Sequence, residues 1–329
     1  MKRALIVSIA VALALLLCAT AVFAGSSAEA KKGKAYTFGH IMPGPDPWYQ
    51  ADLDAVNYCG KLTGTTIVSL NSEYKPEKEI ANVEDLIARK VDAVMLFSQT
   101  ADLAAQAAKL CNQAKIPLIM IASLPPKEGK IVSVVRYDYK VIGQAVADYI
   151  CQNHKGAKVV YITGKPGAGI IEAYRDGLVG KLASLNCGAK VVAEQPTDWN
   201  REQSMAIMSN WLESKLDFQV AFVNNEDMTG GVVQVLKEKG MSGKVALVST
   251  GGSTEGINMI KAGELEATMA ASPAVEGAMA FKLTMDYLKG KPVKDVLDLP
   301  VMAVTKANMD QAVTWKIDEK VLKLVGWDY

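Results

Sequence analysis

The chain has 329 residues, half of them hydrophobic, with 36 Lys and Arg against 35 Asp and Glu. A formal charge of +1 with no basic stripe excludes nucleic acid as a partner. The length is enough for two lobes of ordinary domain size.

Lys2 and Arg3 precede an almost unbroken run of Ala, Val, Ile and Leu from Ala4 to Cys18, and Val22-Phe23-Ala24 offers a cleavage site. Residues 1–24 therefore read as a signal peptide for export to the periplasm, too short and too early for a spanning helix. Taking Lys2 and Arg3 away from a chain of +1 leaves the remainder at −1. Cys18 offers a lipid anchor as the alternative, but Leu15-Leu16-Leu17 lacks the small residue that a lipobox places before the cysteine. An exported compartment supplies no ATP or NAD pool. A βα chain sent there is expected to bind a solute, not to turn over a nucleotide.

After a small, polar and basic stretch from Ala28 to Lys34, a strand is expected at Ala35–Ile41, a helix at Trp48–Lys61 and a strand at Thr65–Leu70. Pro76–Arg89 is a helix opened by proline, with Ile80, Val83, Leu86 and Ile87 on one face. Strands at Val91–Phe97, Pro117–Ile121 and Ile131–Arg136 and a helix at Ala101–Ala114 complete a first series. The second series alternates helices at Val141–Gln152, Gly169–Leu185, Glu202–Ser214, Met228–Lys239, Thr254–Lys261 and Val275–Lys289 with strands at Lys158–Thr163, Lys190–Glu194, Phe218–Val223, Lys244–Ser249 and Glu266–Ala271. Leu299–Val304 is extended, and a mixed tail follows. Short strands apolar on both faces, one about every 30 residues, are those of parallel sheets covered on both sides. The fold class is α/β, two doubly wound parallel-sheet lobes whose ligand site lies outside the carboxyl ends of the strands.

Four cysteines follow the leader, which allows three full pairings. Cys151 and Cys187 each close a helix just before a strand in the same lobe; a bridge between them and two free thiols are both compatible with that placement. Cys59 and Cys111 belong to opposite faces of their sheet and are expected to be free. There is no C-x-x-C pair, so no zinc site is expected.

An enzyme is excluded on the residues present. Gly164-Lys165-Pro166-Gly167-Ala168-Gly169 follows a strand and opens a helix, yet fits neither phosphate-loop pattern. His40 and His154 are the only histidines, and no Ser-His-Asp set is apparent. No catalytic residue, cofactor or metal is assigned.

The segment Pro76–Arg89 followed by Val91-Asp92-Ala93-Val94, then Lys115-Ile116-Pro117-Leu118-Ile119, then Val223-Asn224-Asn225-Glu226-Asp227-Met228, resembles in order and spacing the type I periplasmic solute-binding proteins of sugar ABC transporters, the ribose-binding-like family. The resemblance implies three crossings between lobes, placed near Arg136–Asp138, Ala271–Pro273 and Ala303–Lys306. The first lobe would comprise 35–136 plus 273–303, the second 138–271 plus 305–329. It also implies a monomer that binds a small sugar or polyol and docks on a membrane permease. The rival reading is a periplasmic sensor that docks on a chemoreceptor or sensor kinase.

Sugar recognition pairs aromatic faces with planar polar groups. The loop after the first strand supplies Asp46, Trp48 and Tyr49, which by resemblance grip a sugar from the first lobe. Trp199 and Asn225 fall at the second lobe's cleft aromatic and asparagine, and Asp138 lies in a crossing as hinge or contact. Ser98, Ser123, Tyr137, Tyr174 and Gly251 complete the expected contacts. Trp211, inside a helix with Met208 and Leu212, is expected in the core. Several of these positions depart from the family's ribose binders. Ala122 and Ser123 stand at an Asp-Arg pair, Tyr174 at a cleft arginine, Gly251 at a cleft aspartate and Ala271 at a glutamine. The expected ligand is therefore not ribose. It is a different small sugar, a polyol or a less hydroxylated metabolite, held by Trp, Tyr and neutral polar groups.

Overall fold

The structure is a computed structural model that describes residues 35–122, 126, 128–166 and 169–329. The expected signal peptide, Cys18 and Ser123 lie outside the described residues. Two six-stranded sheets are built in succession. The first uses β1 (Thr37–Met42), β2 (Thr66–Asn71), β3 (Ala93–Leu96), β4 (Leu118–Ile121) and β5 (Ser133–Arg136), with helices α1 (Pro47–Thr63), α2 (Pro76–Ala88) and α3 (Ala101–Ala114) between them. The second uses β6 (Lys158–Thr163), β7 (Lys190–Pro196), β8 (Val220–Val223), β9 (Ala246–Gly251) and β10 (Ala267–Ala270). Its helices are α4 (Tyr139–Asn153), α5 (Ile170–Leu185), α6 (Arg201–Glu213), α7 (Glu226–Glu238) and α8 (Thr254–Ala262). Then come α9 (Pro273–Leu288), β11 (Val296–Asp298), β12 (Met302–Thr305), a 3₁₀ turn at Met309–Gln311 and α10 (Glu319–Leu324).

The strand orders are β11-β5-β4-β3-β1-β2 and β12-β10-β9-β8-β6-β7. Every pairing is parallel except β12 on β10. β3, β4, β8 and β10 are buried along their whole length, because helices cover both faces and leave no wet side for polar alternation. The helices begin where the sequence supplies acceptors for their first free N–H groups: Asp46, Thr100, Asn200, Asn225 and Ser253 each cap one through the side chain.

Two helix pairs approach through glycine. A Cβ on Gly143 of α4 would collide with the Tyr174 carbonyl of α5, and one on Gly177 with the Lys140 carbonyl. One on Gly277 of α9 would collide with the Asp52 carbonyl of α1. Backbone cannot give way as a side-chain tip can, so these glycines set how closely α4 meets α5 and α9 meets α1.

The end of the chain departs from expectation. The stretch expected as one extended segment, Leu299–Val304, begins after β11 has ended. Pro300 has no N–H and cannot continue a ladder. The chain crosses at 299–301 and enters the second sheet as β12, so the third passage falls before Ala303–Lys306. The tail then returns to the first lobe. Trp327 lies 5.8 Å from Phe281 of α9 by ring centroids, the Tyr329 hydroxyl donates to Asp286 at 2.5 Å, and Lys291 pairs with Asp328 at 2.9 Å.

Cys151 and Cys187 form a disulfide across 36 residues of chain. Cys59 and Cys111 are free and buried in separate core clusters, and burial pushes both thiols up to about 12. A 36-residue loop implies about 4 kcal/mol of stabilisation through the unfolded chain. Reducing the bridge is expected to lower the unfolding free energy from urea denaturation by that amount, with a corresponding fall in midpoint, and an unchanged midpoint under reductant would contradict it.

Candidate functional site

Strand order reverses at β1 in the first sheet and at β6 in the second. At such reversals the connections leave on opposite faces and open a crevice at the strands' carboxyl ends. The turn after β1 carries Asp46, Trp48 and Tyr49; the turn after β8 carries Asn224, Asn225 and Glu226.

Asp46 accepts the Trp48 amide at 2.8 Å. Burial raises its pKa, the Trp48 amide opposes that, and the charge of Asp227 in the other lobe adds to the rise. The Trp48 indole donates to Glu276 Oε2 at 3.2 Å, and its ring meets Trp315 edge-on at 5.1 Å. The Trp315 indole donates to the Gly251 carbonyl at 2.9 Å. A Trp–Trp pair thus runs from the first lobe to the end of β9 in the second. Tyr49 packs edge-on against Phe97 at 4.7 Å. Tyr139, the first residue of α4, lies 5.3 Å from Tyr174 on α5, a contact set by the glycine crossing of those helices.

Glu276, in the first turn of α9, is 0% exposed. Its Oε1 has no hydrogen-bond partner. Burial drives its pKa well above the usual carboxylate range and the Asp52 charge adds to this, while the Trp48 indole and the Tyr137 amide pull the other way. Its charge in turn raises the pKa of Tyr49, Tyr137, Tyr139 and Tyr174, on top of the larger effect of burial. Four phenols from the first lobe, a crossing and the second lobe therefore lie within electrostatic reach of one acid.

Glu226, at the start of α7, is 1% exposed. Its Oε1 accepts the Gly252 amide and the Thr268 hydroxyl, each at 2.5 Å, and its Oε2 has no partner. Burial raises its pKa to about 7 against the pull of Thr268, Gly252 and Ser253. A Cβ on Gly251, at φ 131, would collide with Oε2, so the glutamate carboxylate fills the space a side chain at 251 would take.

Asp46, Trp48, Tyr49, Tyr137, Tyr174 and Gly251 thus come together around the crossings. Tyr137 also ties two of them: its hydroxyl accepts the Ser272 amide at 2.9 Å and donates to the Ser272 carbonyl at 3.2 Å. Other expected contacts are already engaged. Ser98 donates to Glu79 at 2.5 Å and to the Thr100 carbonyl at 3.1 Å. Asp138 caps α4 through the Lys140 and Val141 amides, and Asn225 caps α7 through the Met228 amide at 2.8 Å. Trp199, 36% exposed, covers Gly164 and has no ring contact with the central group among the described residues. Trp211 is buried in the second lobe's core with Met208.

Sequence reasoning missed Glu276, Glu226, Tyr139 and Trp315. The expectation of a cleft held by neutral polar groups is corrected by the two glutamates. Glu276 had one signal: it is the sole charge between Met269 and Phe281. His40 is accounted for by Asp52, 2.7 Å away and equally buried. Among the described residues no group of His, Cys, Asp and Glu is arranged to hold a metal.

The chain matches the family model described as periplasmic binding protein domain over residues 38–292. The chain belongs to the periplasmic binding protein family. The ribose import binding protein of Salmonella typhimurium is 30% identical to this binding protein over 262 residues, 79% of this chain and 87% of that one. Among solved structures, the Caulobacter myo-inositol binding protein bound to myo-inositol aligns with a TM-score of 0.77 and 22% identity, covering 85% of this chain and 96% of that one. An ABC transporter solute binding protein from Burkholderia graminis in complex with D-arabinose aligns at 0.76 and 21%, covering 84% and 97%. The binding protein thus has the type I periplasmic fold of two parallel-sheet lobes, in a family of non-enzymatic sugar receptors of ABC transporters. Among its described residues no helix is long and apolar enough to cross a membrane.

Proposed function

We propose that this chain is the periplasmic receptor of an ABC importer. It takes a small sugar, polyol or related metabolite other than ribose between its lobes, as a monomer, and delivers it to a membrane permease by hinge closure. The observation that carries this reading is the convergence of Trp48, Tyr49, Tyr137, Tyr174 and the Gly251 turn at the reversal points of both sheets. Ala122, Tyr174, Gly251 and Ala271 stand where the family's ribose binders place hydrogen-bonding or charged side chains. Each lost bond to a charged group costs about 1.5–3 kcal/mol, which argues against tight ribose binding. Closure follows if the solute contacts both lobes, because only the closed state then makes the full set of contacts.

A melting-curve screen across sugars, polyols and nucleosides tests the reading, since a solute at about 100 times its dissociation constant adds roughly 2.7 kcal/mol. Trp48→Ala removes an aromatic face and the indole donor of Glu276, and is expected to weaken the solute found in this way by about 100-fold or more. Undiminished affinity in a folded Trp48→Ala protein would place the site elsewhere, and micromolar binding of ribose would contradict the exclusion of that sugar.

A further inference from the structure

The first turns of α9 and α7 bury two acids with no cationic partner among the described residues, and burial shifts both toward the protonated form. Glu276 and Glu226 are 0% and 1% exposed; Glu276 Oε1 and Glu226 Oε2 accept no hydrogen bond of good geometry, although the Tyr137 amide and Ser253 lie near enough to favour the charged forms. Among the described residues neither has a Lys, Arg or His within ion-pairing distance. The nearest buried acid to Glu276, Asp52, already holds His40 at 2.7 Å. Arg201, the cation beside Asp227, is held by Asp227 and Glu255, at 3.2 Å from each. Burying an ionised carboxylate without a countercharge costs several kcal/mol, which is the cause of the raised pKa of both acids. The carboxylate points at the cleft: one oxygen takes the Trp48 indole, and its charge reaches the phenols of Tyr49 from the first lobe and Tyr174 from the second.

An acid enclosed by aromatic faces is the arrangement that receives a cation. The ring quadrupoles attract positive charge, and the effect strengthens on desolvation. The carboxylate supplies a charge-assisted hydrogen bond.

We propose that the solute is a hydroxylated amine, an amino sugar or amino polyol whose ammonium group is received by Glu276 within the Trp48, Tyr49, Tyr139 and Tyr174 rings. Glu226, whose Oε2 fills the side-chain space at Gly251, is its candidate second acceptor. This deepens the reading of the cleft as the solute site and rests on it. Tyr174 at the position of the family's cleft arginine then has a direct reason: an arginine there would repel the ligand's charge.

The test uses matched pairs on the whole folded protein: D-glucosamine against D-glucose, D-galactosamine against D-galactose, and 1-amino-1-deoxysorbitol against sorbitol, by titration calorimetry at pH 7. At least one amine is expected to bind 100-fold or more tightly than its neutral partner. Glu276→Gln, which keeps the size and the acceptor for Trp48, is expected to lose that preference. The pairwise comparison on the unsubstituted protein stands even if the variant does not fold. Equal or better binding of every neutral partner, no binding of any of the three amines, or a preference that survives both Glu276→Gln and Glu226→Gln overturns the proposal. Neutral partners that bind at least as tightly as their amines and are lost in Trp48→Ala would overturn the amine alone and keep the cleft. Binding that is unchanged by Trp48→Ala would remove the cleft reading itself.

Discussion

Gly251→Asp is expected to destabilise the protein by at least about 4 kcal/mol. The substitution places an aspartate where the family's ribose binders carry one, and so tests whether this cleft is a different chemical design. Two independent terms act. Gly251 has φ 131, a conformation that L side chains rarely adopt and that costs of order 1–3 kcal/mol. A Cβ there also meets Glu226 Oε2, and the new carboxylate would be buried against an existing one with no countercharge. The Gly251 carbonyl holds Trp315, so displacement of the turn would reach Trp48 as well. Urea unfolding is the measurement. A loss under about 1 kcal/mol would mean that Glu226 swings away freely and does not own this space. Removing the second carboxylate with Glu226→Gly in the same chain is expected to recover the steric part of the loss and not the backbone part.

The second large effect is on pH dependence. Glu226 has a pKa raised from 4.5 to about 7 by burial, with Thr268, Gly252 and Ser253 the groups that oppose the rise. The folded state therefore holds this proton more tightly than the unfolded chain. The resulting stabilisation is complete below pH 4.5, is lost as pH rises to about 7, and is absent above that. The span corresponds to about 3 kcal/mol. Asp46, Asp52, Glu79 and Glu276 shift in the same direction and add to the fall. Asp286, whose pKa is lowered despite burial by Lys282, Tyr329 and Lys291, acts the opposite way, on the acid side of its ordinary value. The solute-free protein is thus expected to be more stable at pH 5 than at pH 8. Glu226→Gln should leave the pH 5 value nearly unchanged and remove about 3 kcal/mol of the fall. Equal slopes in the two proteins would show that Glu226 is not held protonated by its surroundings.

The order of strands and helices was legible because each element carries its own local signal: apolar runs for covered strands, and Asp46, Thr100, Asn200 and Ser253 at helix starts. The break at Pro300 was also visible in principle, since a proline inside an extended run marks its end. The return of the tail was not. Glu319–Leu324 is six residues long, too short for a periodic pattern to show which lobe it faces. In the cleft, Trp48 and Tyr49 stood out by following a strand. Glu276 and Glu226 did not, because an acid in the first turn of a helix is ordinarily explained by the helix dipole and water. Only packing distinguishes a buried first-turn glutamate from an exposed one, and packing is not written in spacing. The departures from the ribose pattern at Ala122, Tyr174, Gly251 and Ala271 read as losses. Beside Glu226, the Gly251 departure reads differently: the glutamate carboxylate occupies the space that a side chain at 251 would take.

These carboxylates leave the solute-free protein less stable at neutral pH than an apolar cleft would. Such a cost is characteristic of sites that a ligand completes.

Small-angle X-ray scattering with and without the solute identified by melting curves tests the receptor account most directly. The account predicts a fall in radius of gyration that saturates at one solute per chain and is absent in Trp48→Ala at the same solute concentration. A radius that stays constant while calorimetry shows the solute bound would contradict closure of the lobes around it.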